Sequence, residues 1–279
     1  MTRAKDQARS ITAKLSQLSK YLGVAYHKIF TEFILERLAY RLISHSDLRG
    51  KLVFKGGYVS LRVYESPRYT IDLDALLRRG RLDSIASVVR LAAEEEGTDG
   101  VWFRLEKTVD LQTQGEYGGL RIVMRAGLGE IPKNLKKAQI VHLDIGKGDP
   151  VVPGPVEVET PFILGGGSLS WRVYPVETTV AEKLHALIVR GSESSRSKDI
   201  FDLNLLLPKC DPKKLKDSIK ETFRHRGDEL PNDIQSHIRE INRRVLKMGW
   251  VSAVGDIRDS PDFDEVFDSL VLKLKILKV

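Results

Sequence analysis

The stretch from residue 52 to residue 77, LVFKGGYVSLRVYESPRYTIDLDALL, decides how the fold is interpreted. An apolar run, Leu52 to Phe54, leads into Lys55-Gly56-Gly57, and a second apolar run carries Asp72 and Asp74. Short apolar runs separated by glycine are typical of strands joined by a turn. The pattern therefore predicts a strand, a glycine turn and a second strand.

The second strand should present two carboxylates together. Alternate side chains of a strand share a face, so Asp72 and Asp74 should point to one side, and Ile71, Leu73 and Ala75 to the other. Adjacent carboxylates repel each other, which raises the pKa of one of them. A divalent cation between them removes that penalty and becomes the largest charge in the site. This strand is therefore a candidate metal site.

Composition excludes several classes of protein. The chain has 279 residues, of which 42% are hydrophobic, 7% aromatic and 30% charged, as in soluble globular proteins. No apolar run approaches the roughly 20 residues of a membrane helix, so no membrane partner is expected. The basic first twenty residues lack the apolar region of a secretory signal, and Cys210 is the single cysteine. A cytoplasmic protein is expected.

The net charge of +7 suits a phosphate-rich partner.

Periodicity predicts helices and strands around the central stretch. Helical spacing is found in residues 3–20, 26–44 and 82–96, and short strands are predicted at 101–105, 120–124 and 139–145. In the last strand, alternation places His142 and Asp144 on one face. Asp144 is thus the third candidate carboxylate.

The second half of the chain is predicted to be mainly helical. Residues 146–170 are dense in Gly and Pro and indicate an irregular segment, in which Gly165-Gly166-Gly167 is a flexible turn. Helices are predicted from Tyr174-Pro175 to Val189, from Ser197 onward, and three times after Pro212. A boundary near residue 208 would divide the chain into a core, residues 1–207, and a helical C-terminal domain, residues 208–279.

Five blocks of sequence resemble one protein family. In chain order they are FKGGYVSLRV, SPRYTIDLDALL, VHLDIGKGDPV, YPVETTVAEKLHALIVRG and SSRSKDIFDL. Together they are similar to the AbiEii/AbiGii nucleotidyltransferase toxins, over roughly residues 20 to 207. The resemblance implies an α+β fold: a polymerase-beta-like core with a mixed sheet and a strand–Gly-Gly–helix unit, followed by a helical C-terminal region. Tyr58 is bulkier than the residue expected after the glycine pair.

The resemblance also implies the roles of individual residues. Asp72 and Asp74 would hold Mg²⁺, or Mn²⁺, on a nucleoside triphosphate (NTP), and Asp144 would share one metal ion and orient or deprotonate the attacking hydroxyl. Lys183 would counter charge on the departing pyrophosphate, and Asp199 would orient Lys183 or contact the nucleotide.

Further residues are expected to bind the nucleotide. Lys55, Gly56 and Gly57 should approach the phosphates, since glycine has no side chain to obstruct the backbone amide groups. Arg68 is suited to pyrophosphate, and Thr70 lies two residues before Asp72, where an extended strand would place it on the same face.

The implied function is nucleotide transfer from an NTP to RNA, at the acceptor end of tRNA, which would block translation. The implied partners are an NTP, RNA and a cognate antitoxin of the transcriptional-regulator or kinase type. Basic residues that could follow an RNA backbone are Lys209, Lys213, Lys214, Lys216, Lys220, Arg224, Arg226, Arg239, Arg243, Arg244 and Lys247.

Other interpretations remain open at this point. The same fold could attach a nucleotide to a protein, and paired aspartates also occur in two-metal nucleases and glycosyltransferases. Each candidate has an ordinary structural explanation too: Asp72 and Asp74 as solvated strand residues, Lys183 as a solvated helix lysine, and Asp199 as a charge favoured by a helix N-terminus. The basic residues could be solvated helix faces, because acidic residues are interleaved with them.

Overall fold

The computed structural model describes residues 3–111, 118–191, 193–255, 257 and 259–277. The chain divides into two compact units, neither of which is a continuous stretch of sequence. The first unit comprises Met1–Val63, Tyr69–Gly148 and Glu157–Val173, and the second comprises Tyr64–Arg68, Asp149–Val156 and Tyr174–Val279.

The first unit is built on a mixed sheet. Its strands are β1 (Leu52–Lys55), β2 (Asp72–Leu77), β3 (Val101–Leu111), β4 (Gly119–Leu128), β5 (Gln139–Lys147), β6 (Val156–Pro161) and β7 (Ser168–Val173). Across the described part of the chain their order is β3-β4-β5-β2-β1-β7-β6. The pairs β2–β5 and β1–β7 are parallel, and β1–β2, β3–β4 and β4–β5 are antiparallel. The predicted mixed sheet is confirmed.

Four helices of the first unit accompany the sheet in the described residues. They are α1 (Arg3–Leu22), α2 (Tyr26–Ser44), α3 (Gly56–Arg62) and α4 (Leu82–Glu94). Apolar residues at helical spacing form the buried face of α2, where Ile34, Leu38 and Leu42 are fully buried. The spacing of apolar residues thus predicted α2 correctly, because burial of one face is what stabilises such a helix.

The glycine pair begins a helix instead of a simple turn between strands. Gly56 follows β1 directly, has a φ of +74° and is the first residue of α3. This arrangement is the strand–Gly-Gly–helix unit implied by the family resemblance. The prediction that Ile71 lies in β2 with Leu73 and Ala75 is wrong, because β2 begins at Asp72 and Ile71 is exposed.

The segment predicted to be irregular contains two strands. Residues 146–170 include β6 and the start of β7, and Gly165, Gly166 and Gly167 form the turn between them with positive φ angles. In β7 the buried residues alternate at Leu169, Trp171 and Val173. The Gly and Pro density of the segment concealed this alternation, whereas the turn at the glycines is confirmed.

The second unit is helical in its described residues. Its helices are α5 (Val176–Arg190), α6 (Ser197–Leu206), α7 (Pro212–Arg226), α8 (Ile234–Glu240), α9 (Arg243–Met248), α10 (Trp250–Val254) and α11 (Phe263–Lys273). They share one hydrophobic core, which includes Leu184, Phe223, Trp250 and Phe267. The described residues from Pro212 onward form five helices, α7 to α11, so the prediction of three helices is wrong. Helices α8 to α10 have five to seven residues and are too short to show a helical period.

The predicted boundary at residue 208 falls inside the second unit. Pro208 lies in a short 3₁₀ turn, Leu207–Lys209, between α6 and α7. Residues on both sides of it, including Leu203 and Leu215, belong to the same core. None of the helices in the described residues is long and apolar enough to cross a bilayer.

Two leucines of α11 test where the core of the second unit lies. Leu270 is fully buried, whereas Leu272, two residues further along the same helix, is 56% exposed. We expect Leu270→Ala to lower the free energy of unfolding by about 2–5 kcal/mol, because it leaves a cavity. Leu272→Ala should change it by less than about 0.5 kcal/mol. Urea unfolding followed by circular dichroism measures both, and equal losses would contradict the assigned core.

Candidate active site

The pairing of β2 with β5 brings the three predicted carboxylates together. The two strands are parallel, with Asp74 opposite Asp144 and Asp72 opposite His142. The side chains between them, Leu73 and Leu143, are fully buried on the other face. Since strand residues alternate between faces, the aspartates lie on one side of the sheet, away from the apolar core. The predicted alternation in both strands is confirmed.

Two of the carboxylates have partners that the sequence did not indicate. Arg121 on β4 donates two hydrogen bonds to Asp144, from Nε to Oδ1 at 2.8 Å and from an Nη to Oδ2 at 2.7 Å. His142 Nδ1 lies 2.8 Å from Asp72 Oδ1. The hydrogen bonds to Asp144 raise the pKa of Arg121 above its ordinary value, and the charges of Asp72 and Asp74 contribute to this. Arg121 therefore places one positive charge among the three carboxylates.

The backbone at Gly56 lies against the carboxylate of Asp74. A Cβ atom at Gly56 would be 2.0 Å from Asp74 Oδ2, which no real side chain tolerates. Its φ of +74° also favours glycine. In the antiparallel pair of β1 and β2, Lys55 is opposite Asp74. Both glycine's conformational freedom and its missing side chain are thus required here.

Thr70 and Gly57 lie next to this carboxylate group. A Cβ at Gly57 would be 3.1 Å from Thr70 Cβ. The expectation that Thr70 belongs to the same strand as Asp72 is wrong, because β2 begins at Asp72. Thr70 Oγ1 instead accepts a hydrogen bond from the amide group of Asp72 at 3.2 Å. The Thr70 side chain therefore hydrogen-bonds the first backbone amide group of β2.

The three carboxylates have the right chemistry for Mg²⁺, but their side chains do not converge on one point as the ligands of a preformed metal site do. Mg²⁺ prefers carboxylate, phosphate and water oxygens and commonly uses one or two protein carboxylates. Asp72, Asp74 and Asp144 supply such oxygens on one face. Within the described ranges, however, no three His, Cys, Asp or Glu side chains converge as metal ligands. The guanidinium of Arg121 supplies the positive charge at Asp144.

A second group of charged residues lies in the helical unit. Lys183 on α5 contacts two carboxylates of α6, Asp199 at 2.9 Å and Asp202 at 2.8 Å. Asp202 also accepts two hydrogen bonds from Arg68, and Asp199 accepts one from Arg196 at 2.9 Å. The two aspartates are almost completely buried. Buried charges are tolerated when they are paired in this way.

Paired burial shifts the pKa values of this network in a definite direction. Burial of the Lys183 ammonium acts to lower its pKa, but the charges of Asp199 and Asp202 outweigh that effect, so the pKa is raised. Burial acts to raise the pKa of Asp202, but Lys183 and Arg68 outweigh it, so the pKa is lowered. At neutral pH Lys183 is therefore a cation and Asp202 an anion.

Three further residues have structural surroundings. His185 is buried, with Nε2 2.7 Å from Asp228 Oδ2. Burial raises the pKa of Cys210 to about 12, which makes its thiol a poor nucleophile. Tyr58, which is bulky for its position, is fully buried, and its hydroxyl donates to the carbonyl oxygen of Glu32.

Sequence reasoning missed Arg121 and Asp202 and gave His142 no role at the site. Asp202 follows Asp199 by three residues, which places both on one face of a helix, so its signal was present. Arg121 is a charge inside an apolar strand, between Leu120 and Ile122. Such a residue signals a polar partner, but only the pairing of β4 with β5 identifies Asp144 as that partner.

Substitution of Gly56 tests its contact with Asp74. Gly56 and Gly165 have the same φ of +74°, but a Cβ at Gly165 would meet nothing within 4 Å. Alanine at either position costs about 1–2 kcal/mol of backbone strain. We expect Gly56→Ala to cost clearly more than Gly165→Ala, because it also displaces the Asp74 carboxylate. Urea unfolding of both variants provides the measurement, and equal losses would contradict the contact.

The buried network makes a prediction about acid stability. Asp202→Asn should lower the free energy of unfolding by about 3–5 kcal/mol at neutral pH, because it breaks a buried ion pair. The folded pKa of Asp202 lies below its ordinary value of 3.8. Its contribution is therefore complete above pH 3.8 and is lost as the pH falls towards the folded pKa. The difference between wild type and variant, measured by urea unfolding across pH, should shrink in that range.

A surface ion pair supplies the control for that comparison. Asp264 pairs with Lys247, and both side chains are about half exposed. Asp264→Asn should cost less than about 1 kcal/mol. A pH-independent difference for Asp202→Asn, or an equal cost for both variants, would count against the buried network.

Comparison with known proteins identifies a matching family and solved structures of similar fold. The family model described as the nucleotidyl transferase AbiEii toxin of type IV toxin-antitoxin (TA) systems matches residues 37–269. JHP933 from Helicobacter pylori is 15% identical, with a TM-score of 0.51, and covers 91% of this chain and 93% of its own. A candidate nucleotidyltransferase from H. pylori is also 15% identical, with a TM-score of 0.52, and covers 91% and 96%.

These structures support the same fold. Among curated proteins, no sequence matches this chain. The family model nevertheless spans most of the chain and includes the aspartates of β2 and β5 as well as the charged residues of α5 and α6. The chain belongs to the AbiEii nucleotidyltransferase toxin family.

Proposed function

We propose that this protein is a Mg²⁺-dependent toxin that transfers a nucleotide from an NTP to RNA, at the acceptor end of tRNA, and so blocks translation. Mn²⁺ is the alternative metal. The observation that carries the proposal is the placement of Asp72, Asp74 and Asp144 on one face of two adjacent parallel strands. Membership of a nucleotidyl transferase family supports the reaction class.

The proposed reaction is a single displacement at phosphorus. A hydroxyl oxygen of the RNA forms a bond to the α-phosphorus of the NTP, the bond to the bridging oxygen of the β-phosphate breaks, and pyrophosphate leaves with the electron pair. Asp144 orients the hydroxyl and takes up its proton. Asp72 and Asp74, with Asp144, would hold the metal, which when bound would stabilise charge on the attacking and leaving oxygens.

Residues around Asp74 are proposed to receive the triphosphate. Gly56 and Gly57 present backbone without side chains, and Lys55 is opposite Asp74 in the sheet. Thr70 completes this group through its contact with the amide of Asp72. A close approach of phosphate to backbone amide groups needs this lack of side chains.

Lys183, Asp199 and Arg68 are proposed to take part in nucleotide binding. Lys183 is a cation, and Asp199 lies 2.9 Å from its ammonium, which suits the predicted role of orienting it. Arg68 donates to Asp202 and to the carbonyl oxygen of Ala253, so its pyrophosphate role would require it to exchange one of these contacts.

The basic residues of α7 support RNA as the acceptor. Lys213, Lys216 and Lys220 recur at the spacing of one helix face, and a row of lysines can follow a phosphate backbone. Two other basic residues are paired with acids: Arg224, at the end of the same helix, contacts Glu221, and Lys247 on α9 contacts Asp264. The regular spacing of its lysines makes α7 the chief candidate for the RNA role.

The family places the protein in a toxin-antitoxin system, which implies a cognate antitoxin. A transcriptional regulator or a kinase is proposed for that partner. Because NTPs and tRNA are cytoplasmic, the proposal also locates the protein in the cytoplasm.

Transfer of label tests the proposed function. Incubation with each labelled NTP, Mg²⁺ and total RNA, resolved on a gel, should place label on RNA of tRNA size. Asp72→Ala should reduce transfer by at least about 100-fold, the scale of losing a group that stabilises transition-state charge. Its circular dichroism spectrum should be unchanged, because Asp72 is outside the core.

An exposed acid of the same sheet serves as the control. Asp110 on β3 is exposed, and Asp110→Ala should transfer label at the wild-type rate. Undiminished transfer by folded Asp72→Ala would contradict the proposal. Label on polypeptide alone would indicate nucleotidylation of a protein, and shortened RNA without any need for NTP would indicate a nuclease.

A further inference from the structure

Arg121 occupies the same carboxylate oxygens that a metal ion would use. In the pairing of β4 with β5, Arg121 is directly opposite Asp144. Its Nε and one Nη contact Oδ1 and Oδ2 at 2.8 and 2.7 Å. Such a two-point contact is among the strongest that a carboxylate makes. Asp144 therefore already has a cationic partner.

The site's other charges hold Arg121 in place. Asp74 is opposite Asp144 in the sheet, and Asp72 lies two residues away on the same face. The carboxylates repel one another, and a nearby positive charge relieves that repulsion. The guanidinium and a divalent cation would serve the same electrostatic need at the same place, so binding of one weakens binding of the other.

The geometry points to Arg121 as an internal cation that competes with the metal ion for Asp144. Metal binding would release the guanidinium from the carboxylate of Asp144. Loss of the metal would let Arg121 contact both oxygens of Asp144 again. This inference rests on the proposed function, since it assumes that Asp144 is a metal ligand.

The opposite role for Arg121 makes a different prediction. A carboxylate has about four lone-pair positions, so a guanidinium on one side could instead hold Asp144 in the orientation that the metal needs. Removing Arg121 would then weaken metal binding. Under competition, removing it strengthens metal binding, so the sign of the change decides between the two roles.

Titration with Mn²⁺ in the absence of nucleotide, followed by electron paramagnetic resonance of the free ion, measures the affinity directly. We expect Arg121→Gln to bind Mn²⁺ about tenfold more tightly than wild type, which corresponds to about 1.4 kcal/mol. Arg121→Lys keeps the charge but cannot make the two-point contact, and it should give a smaller increase.

Arg125 provides a matched control on the same strand. It lies four residues after Arg121 and contacts Glu106 with two nitrogens. Arg125→Gln removes the same charge from β4 and should leave Mn²⁺ affinity close to that of wild type. An equal increase for Arg125→Gln would mean that net charge alone is responsible and would overturn the proposal.

Thermal unfolding gives a second measurement. Without metal, Arg121→Gln should unfold at a lower temperature than wild type, because its carboxylates repel without a cation. Added Mg²⁺ should raise the unfolding temperature of Arg121→Gln more than that of wild type.

Each outcome of the titration is decisive. Unchanged or weaker Mn²⁺ binding by Arg121→Gln, with normal binding by wild type, would overturn the role of Arg121 and leave the proposed metal site standing. Binding by Arg121→Gln but not by wild type would support the competition most strongly. Absence of binding by both proteins would overturn the inference together with the metal dependence of the proposed function.

Discussion

Mutual repulsion of carboxylates is the constraint on which the candidate site depends. The parallel register of β2 and β5 places Asp74 opposite Asp144, on strands that lie about 4.8 Å apart. Two like charges about 5 Å apart at a protein surface cost about 3 kcal/mol. The sheet can keep this arrangement because hydrogen bonding and burial of the opposite face stabilise both strands. The repulsion creates a lasting demand for positive charge, which Arg121 meets at Asp144.

The carboxylate of Asp74 also needs space, which the glycine at the start of α3 leaves free. A side chain at Gly56 would occupy the space of the Asp74 carboxylate. The tight approach of the α3 backbone therefore limits where that carboxylate can turn. A group bound at Asp74 would meet backbone there, and backbone amide groups suit phosphate oxygens.

In the helical unit, buried charged side chains are each paired with a side chain of opposite charge. Lys183, Asp199 and Asp202 are tied together by contacts shorter than 3 Å. Arg68 and Arg196 add cations at the edges of this network. Removing one member leaves the others buried without full compensation, so the network behaves as a unit. Such a network orients α5 against α6 through specific contacts, in addition to the apolar core that the helices share.

Local patterns in the sequence predicted the parts that depend on neighbours along the chain. The alternation in β2 and β5 and the bounds of α2 are confirmed, because burial of one face selects apolar residues at a regular spacing. The family blocks correctly indicated the nucleotidyltransferase fold. The short helices α8 to α10 and the strands β6 and β7 were missed, since each is too brief, or too rich in neighbouring glycine, for periodicity to show.

Only the tertiary structure decided that Arg121 holds Asp144, that Gly56 lies against Asp74, and that Asp202 joins Lys183 to Arg68. The reason is physical: these contacts join residues 18 (Gly56 and Asp74) to 134 (Arg68 and Asp202) positions apart, and only strand register and helix packing determine which distant residues meet.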